Sequence, residues 1–265
     1  MSEYSNINFK KKFGQNFLSD KNLLASIVRD AGITEDDYVL EIGAGAGALT
    51  SELVKVCKKV VSFEIDIELK TELEGKFAEK ENIEIIFADF LNINEEFIYE
   101  KLGTKFKVVA NLPYYITTPI LTKLFTMKHR PSTISVMVQK EVGERIVATP
   151  NKGDYGYFSV YVCANADAKI TRQVNRKMFT PSPNVDSVIL RLDTKENVYP
   201  VKFFEFLKLA FSMKRKTLKN NIEKICTISK TEIGEKLQFL GFDASVRADG
   251  LSLEELFVIY KALFE

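Results

Sequence analysis

Short apolar runs alternate with longer mixed segments over the first two thirds of the chain, a pattern typical of strands that alternate with helices. The runs that we predict as buried strands cover residues 38–42, 59–63, 83–87, 106–110 and 134–138. A sixth strand is predicted over residues 163–174, and alternating apolar and polar positions predict a seventh over residues 186–192. We therefore expect an α/β domain.

The rest of the chain carries a helical pattern instead. Polar residues 193–197 interrupt the apolar pattern, and four helices are predicted after them, over residues 203–211, 217–225, 231–240 and 253–264. Ser252 and Glu255 have the spacing of a capping box at the start of the last helix. We therefore expect a larger domain in residues 1–193 and a small all-helical domain in residues 194–265.

The composition is that of an ordinary globular protein, since 46% of the 265 residues are hydrophobic and 28% are charged. No apolar run reaches the length of a membrane span, and the first residues lack the apolar core of a signal peptide. Cys57, Cys163 and Cys226 are far apart and odd in number, which favours reduced thiols over a disulfide framework or a zinc site. We therefore expect a cytoplasmic protein without a membrane partner or a metal.

The net charge is +1, but the basic residues are unevenly distributed. The predicted small domain concentrates them at Lys214, Arg215, Lys216 and Lys219. A concentrated basic face can bind nucleic acid even on a nearly neutral chain. On charge alone, a solvated surface without a partner stays open as the alternative.

A glycine-rich turn follows the first predicted strand. Gly43, Gly45 and Gly47 stand between that strand and a helical pattern, and glycine lets the backbone approach a ligand closely. Glu64 ends the next strand about twenty residues later, the spacing at which an acid binds ribose hydroxyls in dinucleotide folds. Together these features indicate a cofactor that contains adenosine.

Two further acidic residues refine this interpretation. Glu41 precedes Gly43 and completes the pattern Glu-x-Gly-x-Gly-x-Gly. This pattern resembles the cofactor loop of class I S-adenosylmethionine (SAM) methyltransferases more than the Gly-x-Gly-x-x-Gly fingerprint of NAD enzymes. Asp89 follows the third strand, where its carboxylate could accept a hydrogen bond from the adenine amine or could only cap a turn.

The fourth predicted strand leads into a corner formed by Asn111, Leu112, Pro113 and Tyr114. Proline cannot continue a central strand, so the chain must turn here. The turn places an amide, backbone carbonyls and an aromatic ring at the carboxyl end of a strand, where open α/β sheets bind ligands. We predict that this corner binds an amino group on a flat base and directs it at an electrophile.

These residues, together with Asn16-Phe-Leu18 and Phe179-x-Pro-x-Pro183-x-Val-Asp-Ser187, resemble the ribosomal RNA adenine dimethyltransferases of the KsgA/RsmA type. The resemblance covers nearly the whole chain, and the corner combined with the Phe-x-Pro-x-Pro loop is its most specific part. The segment Phe211-x-x-Lys-Arg-Lys-Thr-Leu-Lys-Asn-Asn221 is closer to this branch than to the related Erm resistance methyltransferases. Tyr115 is a departure, because many members of the family carry a polar residue or histidine there.

The resemblance implies a class I SAM-dependent methyltransferase with a Rossmann-like, mostly parallel seven-stranded sheet and a small C-terminal helical domain. It implies that SAM binds without a metal and leaves as S-adenosylhomocysteine. The cofactor contacts that carry over are Asn16, Leu18, Gly43, Glu64, Asp89 and Asn111. The implied substrate is 16S ribosomal RNA in the small ribosomal subunit, where two adjacent adenosines of a hairpin loop near the 3′ end each receive two methyl groups.

The catalytic residues that the resemblance implies are Asn111, Leu112, Pro113, Tyr114 and Phe179. The Asn111 side chain and the Leu112 carbonyl would accept hydrogen bonds from the exocyclic amine of adenine, which would make its lone pair more available. Tyr114 and Phe179 would stack on opposite faces of the flipped-out base.

The resemblance also implies how the RNA is held, and it predicts a monomer. A basic helix of the small domain that carries Lys214, Arg215, Lys216 and Lys219 would bind phosphates. Three alternatives stay open at this point. An Erm-type enzyme would act on one adenine of 23S ribosomal RNA, a ribosome-assembly or RNA-binding factor would methylate only secondarily, and an NAD-dependent oxidoreductase would bind nicotinamide instead.

Overall fold

The computed structural model of the chain describes residues 17–18, 20–196 and 198–264, which form two compact units. The first unit holds the described residues up to Gly143 together with Lys169–Thr194. The second holds Glu144–Ala168 and the described residues from Lys195 onward. Residues 144–168 therefore belong with the C-terminal helices, whereas the predicted boundary assigned them to the larger domain.

The described residues contain nine strands, and the apolar runs account for most of them. The strands are β1 (Phe17–Leu18), β2 (Tyr38–Ile42), β3 (Lys59–Glu64), β4 (Ile83–Phe87), β5 (Lys107–Asn111), β6 (Thr133–Gln139), β7 (Ala166–Val174), β8 (Phe179–Thr180) and β9 (Ser187–Thr194). Val39, Leu40, Val108 and Val109 on the central strands β2 and β5 have no exposed surface. Such continuous burial is expected where helices cover both faces of a parallel sheet.

Seven strands form one sheet in the order β4-β3-β2-β5-β6-β9-β7. Neighbouring strands from β4 to β6 run parallel, and β9 pairs with β6 in the antiparallel direction. This sheet confirms the predicted class I methyltransferase fold. The strand order reverses between β2 and β5, and a crevice for a ligand forms at such a switch point.

Helices follow most of the strands, as the chain pattern predicts. They are α1 (Lys21–Asp30), α2 (Ala48–Leu53), α3 (Lys70–Phe77), α4 (Glu95–Leu102), α5 (Thr117–Thr126), α6 (Lys140–Ile146), α7 (Tyr157–Asn165), α8 (Val201–Ala210), α9 (Leu218–Ile222), α10 (Lys230–Phe239) and α11 (Leu253–Phe264). The predicted capping box of α11 is confirmed, because Ser252 N–H donates to Glu255 Oε2 (2.8 Å) and Glu255 N–H donates to Ser252 Oγ (3.2 Å).

Helix α7 corrects one sequence prediction. Residues 163–165, which were predicted to begin a strand, end this helix, and the strand β7 begins at Ala166. Most of α7 is buried, so its apolar residues do not form the one-sided stripe that identifies a surface helix. Val160 and Ala164 pack in the core of the second unit with Phe203, and these contacts decide the conformation.

Candidate functional site

A cleft opens in the first unit at the carboxyl ends of the parallel strands. Its lining comes from four segments that each follow or end a strand, at residues 42–46, 63–65, 88–91 and 110–116. Leu18, apolar side chains of α1 and α2, Ile120 of α5 and Met137 of β6 complete the lining. The cleft therefore lies at the switch point where this class of sheet binds ligands.

The glycine turn after β2 has a conformation that other residues rarely adopt. Gly43, Gly45 and Gly47 all have positive φ angles, of 84°, 55° and 73°. A Cβ atom on Gly47 would lie 2.8 Å from the ring of Phe77, so a larger side chain would also displace α3. Gly43 and Gly45 also line the cleft, where the absence of side chains lets a ligand approach their backbone.

Glu64 connects the glycine turn to the end of β3. Its Oε2 accepts a hydrogen bond from Gly45 N–H (2.7 Å), and its Oε1 accepts one from Asp66 N–H (2.8 Å). Burial raises the pKa of this carboxyl, and the two backbone hydrogen bonds act in the opposite direction. Each carboxylate oxygen can accept a further hydrogen bond, so Glu64 can hold the turn and still bind a hydroxyl in the cleft.

Glu41 lies beneath the turn and is completely buried. Its Oε2 accepts hydrogen bonds from Thr50 Oγ1 (2.7 Å) and Ser62 Oγ (2.6 Å), which ties β2 to α2 and β3. Within the described part of the chain, Oε1 has no hydrogen-bond partner. Burial, and to a smaller extent the nearby charge of Glu64, raise the pKa of Glu41 to about 7 against the two hydrogen bonds.

Asp89 is the N-cap of a short 3₁₀ turn, Phe90–Asn92, that borders the cleft. Its Oδ1 accepts a hydrogen bond from Leu91 N–H (2.9 Å), and its Oδ2 accepts one from the Asn92 side chain (3.2 Å). The turn-capping role considered for this residue is therefore present. Because Asp89 also lines the cleft, the cap does not exclude a contact with a ligand.

The predicted corner stands at the end of β5. Asn111 is the last residue of the strand, and Pro113 directs the chain into a 3₁₀ turn, Tyr114–Ile116. The Leu112 side chain is buried, whereas Tyr115 is 60% exposed. All of these residues line the cleft together with Gly43, Glu64 and Asp89, so the structure brings this part of the predicted site together.

The ring of Tyr114 is held by a residue for which the sequence suggested no role. Tyr114 Oη and Ser187 Oγ lie 2.8 Å apart, and Ser187 has no exposed surface. Burial raises the pKa of the Tyr114 hydroxyl, so it stays protonated. Ser187 belongs to the Val-Asp-Ser segment quoted above. Nothing in that segment indicates that Ser187 contacts Tyr114, because the two residues are 73 positions apart in the chain.

Phe179 is buried in the core of the first unit. Residues Leu18 and Phe179 face each other in the antiparallel pair of β1 and β8, and the Phe179 side chain is only 4% exposed. It packs in the core of the first unit with Met137 and Ile189 and does not line the cleft. It nevertheless belongs to the same core cluster as Leu18 and Met137, which both line the cleft. Asn16 lies outside the described residues, whereas Leu18 lines the cleft.

The basic residues belong to the second unit. Lys214, Arg215 and Lys216 are exposed, but they lie in a turn between α8 and α9 rather than in the predicted helix. Asn221 holds this turn, because its side-chain amide donates to the backbone oxygens of Ala210 (2.7 Å) and Met213 (3.2 Å). Lys219 is on α9 and is partly buried.

Within the ranges that the structure describes, neither a metal-binding cluster nor a membrane-spanning helix is present. No group of three or more histidine, cysteine, aspartate or glutamate side chains is arranged to hold a metal ion. None of the helices in these ranges combines the length and apolar character needed to cross a membrane.

Comparison with known proteins adds independent information. The sequence profile of the family described as "Ribosomal RNA adenine dimethylase" matches residues 6–264. A "Ribosomal RNA small subunit methyltransferase A" from Caldanaerobacter subterraneus subsp. tengcongensis is 43% identical over 262 residues, which are 96% of this chain and 97% of the relative. A protein of the same name from Oceanobacillus iheyensis is 40% identical over 271 residues, which are 97% of this chain and 91% of the relative.

Solved structures agree with these sequence relationships. A dimethyladenosine transferase from Plasmodium falciparum superposes with a TM-score of 0.81 at 26% identity, covering 92% of this chain and 95% of the other. The 23S rRNA methyltransferase ErmE superposes with a TM-score of 0.73 at 26% identity, covering 94% of this chain and all (100%) of the other.

Proposed function

This chain belongs to the ribosomal RNA adenine dimethylase family, and from that premise we propose that it methylates 16S ribosomal RNA in the small ribosomal subunit. The exocyclic amines of two adjacent adenosines, in a hairpin loop near the 3′ end, each receive two methyl groups. The observation that carries this proposal is the shared cleft, which is lined by Asn111, Tyr114, Glu64 and Asp89. In this cleft Asn111 can accept a hydrogen bond from an amine and Tyr114 can stack on a base. Glu64 and Asp89 can accept hydrogen bonds from the ribose and the adenine of a nucleoside.

The small subunit is favoured over the substrate of an Erm-type enzyme. Proteins named small subunit methyltransferase A are 40–43% identical to this chain, whereas ErmE is 26% identical. We further propose that the protein acts as a monomer in the cytoplasm.

The residues of the cleft fit SAM as the methyl donor. When bound, SAM supplies an electrophilic methyl group on a sulfonium, leaves as S-adenosylhomocysteine and requires no metal. Glu64 would accept hydrogen bonds from the ribose hydroxyls, and Asp89 would accept one from the adenine amine. The left-handed turn at Gly43 supports this assignment, because it lets the backbone lie close to the ligand. Leu18, Asn16 and Asn111 complete the proposed contacts.

The corner would prepare the amine for reaction. The adenine amine is a poor nucleophile because its lone pair is delocalised into the ring. The Asn111 side-chain oxygen and the Leu112 carbonyl would accept its two hydrogens and favour a pyramidal nitrogen. These hydrogen bonds strengthen as positive charge develops on nitrogen, so they stabilise the transition state more than the ground state. Pro113 holds the turn that presents both acceptors.

Aromatic stacking would hold the base out of the RNA strand. Tyr114 lines the cleft and can present its ring to adenine, a contact worth about 1–3 kcal/mol per base. The Phe179 ring is buried and does not line the cleft, although it shares a core cluster with Leu18 and Met137, which do. Its role as the second stacking ring therefore stays a prediction, tested below.

The turn of Lys214, Arg215 and Lys216, with Lys219 on α9, is proposed to bind phosphates of the RNA. The exposure of the first three side chains supports this role. Their contribution should not depend on base sequence, because phosphate contacts position the RNA without reading it.

The test is methyl transfer from radiolabelled SAM to purified ribosomal subunits that lack the modification, followed by nucleoside analysis. We expect N6,N6-dimethyladenosine in the small subunit and no label in the large subunit. Asn111→Ala should lower the rate by about 10²–10³-fold, the usual cost of removing a transition-state hydrogen bond. Label in the large subunit only would contradict the proposed substrate, and full activity of Asn111→Ala would contradict the proposed catalytic role.

A further inference from the structure

Lys123, on the helix that follows the corner, makes an unusually complete set of contacts with the loop that carries Asp89. Its Nζ donates hydrogen bonds to three backbone oxygens, those of Phe90 (2.8 Å), Leu91 (2.9 Å) and Ile93 (2.5 Å). An ammonium group has three N–H donors, so these contacts use all of them. The same Nζ lies 4.9 Å from the centre of the Phe90 ring.

The loop needs such a partner because its 3₁₀ turn is short. The turn itself satisfies the Phe90 carbonyl, which accepts a hydrogen bond from Ile93 N–H (3.2 Å), whereas the last carbonyls of a helical turn ordinarily lack such partners. A lysine side chain can satisfy them and also interact favourably with the negative end of the turn. Burial lowers the pKa of Lys123, while the carboxylates of Asp89 and Glu95 favour its charged form.

The position of this contact connects two parts of the cleft. Residues 88–91 line the side proposed to bind adenine, whereas α5 begins directly after the 3₁₀ turn Tyr114–Ile116 of the corner. Lys123 therefore joins the loop of Asp89 to the helix that extends from the catalytic corner. The ring of Phe90, which the ammonium covers, also packs edge-on against Phe63 of β3 at 5.6 Å between ring centres.

We propose that Lys123 is a positioning residue for the adenine end of the cofactor site, where its ammonium fixes the 88–93 loop so that Asp89 keeps its place in the cleft. The inference rests on the proposed function, since it assumes that SAM occupies this cleft. It assigns Lys123 no contact with the ligand and no part in the chemical step. A purely structural lysine would stabilise the fold without changing the affinity for adenosine ligands.

The experiment compares Lys123→Met, which keeps the unbranched side chain except for its terminal ammonium and so removes its donors, with Lys123→Arg, which keeps charge and donors. Lys59→Met is the matched control, because Lys59 Nζ also donates to a backbone oxygen, that of Lys101 (3.1 Å), at the other end of β3. Calorimetry with S-adenosylhomocysteine and with 5′-methylthioadenosine measures affinity, and thermal unfolding measures stability. Lys123→Gln keeps two donors and replaces the methionine variant if that variant does not fold.

We expect Lys123→Met to bind both adenosine ligands about tenfold more weakly or worse, the loss typical of a charge-assisted contact, with partial recovery in Lys123→Arg. The kcat at saturating SAM should change less than about threefold, and the KM for the small subunit should not change. Equal affinities in wild type and in the folded variant, or an equal loss in Lys59→Met, would overturn the role of Lys123. Failure of the wild-type protein to bind either ligand would instead contradict the proposed function.

Discussion

The hydroxyl groups of Tyr114 and Ser187 lie 2.8 Å apart, although 73 positions separate these residues in the chain. Ser187 is the first residue of β9, and Tyr114 begins the turn that follows β5. Because Ser187 is completely buried, water does not compete with Tyr114 for its hydroxyl group. The contact therefore orients the ring that we propose to stack on adenine.

We predict that Ser187→Ala lowers kcat/KM for the small subunit by about tenfold, since the half-buried Tyr114 hydroxyl loses a hydrogen bond worth roughly 1–2 kcal/mol that orients its ring. Affinity for SAM should not change. A double-mutant cycle with Tyr114→Phe should show that the second change costs almost nothing once the first is made. Additive losses in the cycle would contradict a direct coupling between the two hydroxyls.

Phe179 can be tested for two separable roles. Its burial predicts that Phe179→Ala destabilises the fold by about 3–5 kcal/mol, as for other buried aromatic residues. Phe179→Leu fills more of the space and should cost less. If Phe179 also stacks on adenine, the leucine variant should show a raised KM for the small subunit while its thermal unfolding stays near that of wild type. An unchanged KM would contradict stacking on adenine and would indicate that Phe179 only stabilises the core.

Glu64→Gln should weaken SAM binding by about tenfold, because the amide nitrogen of glutamine cannot accept the hydrogen bond that Gly45 or Asp66 now donates. Glu72→Gln, at an exposed position of α3, is the matched control. Calorimetry with SAM measures both. If the Glu64 variant and wild type bind SAM with equal affinity, Glu64 has no role in binding the cofactor.

Glu41 should make stability depend on pH. Burial raises its pKa from the ordinary 4.5 to about 7, against the hydrogen bonds from Ser62 and Thr50 and the charge of Lys76, and with the charge of Glu64. An acid with a raised pKa in the folded state binds its proton more tightly there. Its contribution is therefore complete below about pH 4.5 and is lost as the pH rises through about 7.

We predict that the melting temperature of Glu41→Gln, which stays neutral, falls less than that of wild type between these two pH values. Thermal unfolding at several pH values in this window measures the difference. Parallel curves for the two proteins would contradict a buried carboxyl that titrates here.

The basic turn should govern how RNA binding responds to salt. Lys214→Ala combined with Arg215→Ala removes two phosphate contacts and should make the slope of log K against log salt shallower by about 1.4–1.8. Lys80→Ala combined with Lys230→Ala removes two exposed charges elsewhere and should leave the slope nearly unchanged. Filter binding of the small subunit over a range of salt concentrations gives both slopes. An equal change in the two double variants would indicate a general effect of charge.

The sheet and most of the cleft could be predicted from the sequence because they depend on local signals. Apolar runs mark the buried strands, the glycines at 43, 45 and 47 mark the turn, and Pro113 marks the end of β5. The lining of the cleft follows from these, since the carboxyl ends of parallel strands meet at one edge. Glu64 and Asp89 could be placed there on the same grounds.

Other features depend on contacts between distant residues, for which the sequence carries no local signal. Phe179 is buried by residues distant in the chain, which include Leu18 of β1, Met137 of β6 and Ile189 of β9. The partner of Lys123 is a set of backbone oxygens, which every residue possesses and no motif reveals. The basic residues 214–216 form a turn because Asn221 binds the carbonyls around it, although their composition suits a helix.

The short pair of β1 and β8 has a practical consequence for expression of this protein. Leu18 supplies both the strand partner of Phe179 and part of the cleft wall. A truncation that removes Leu18 would deprive the Phe-x-Pro-x-Pro loop of its strand partner and the cleft of part of its wall.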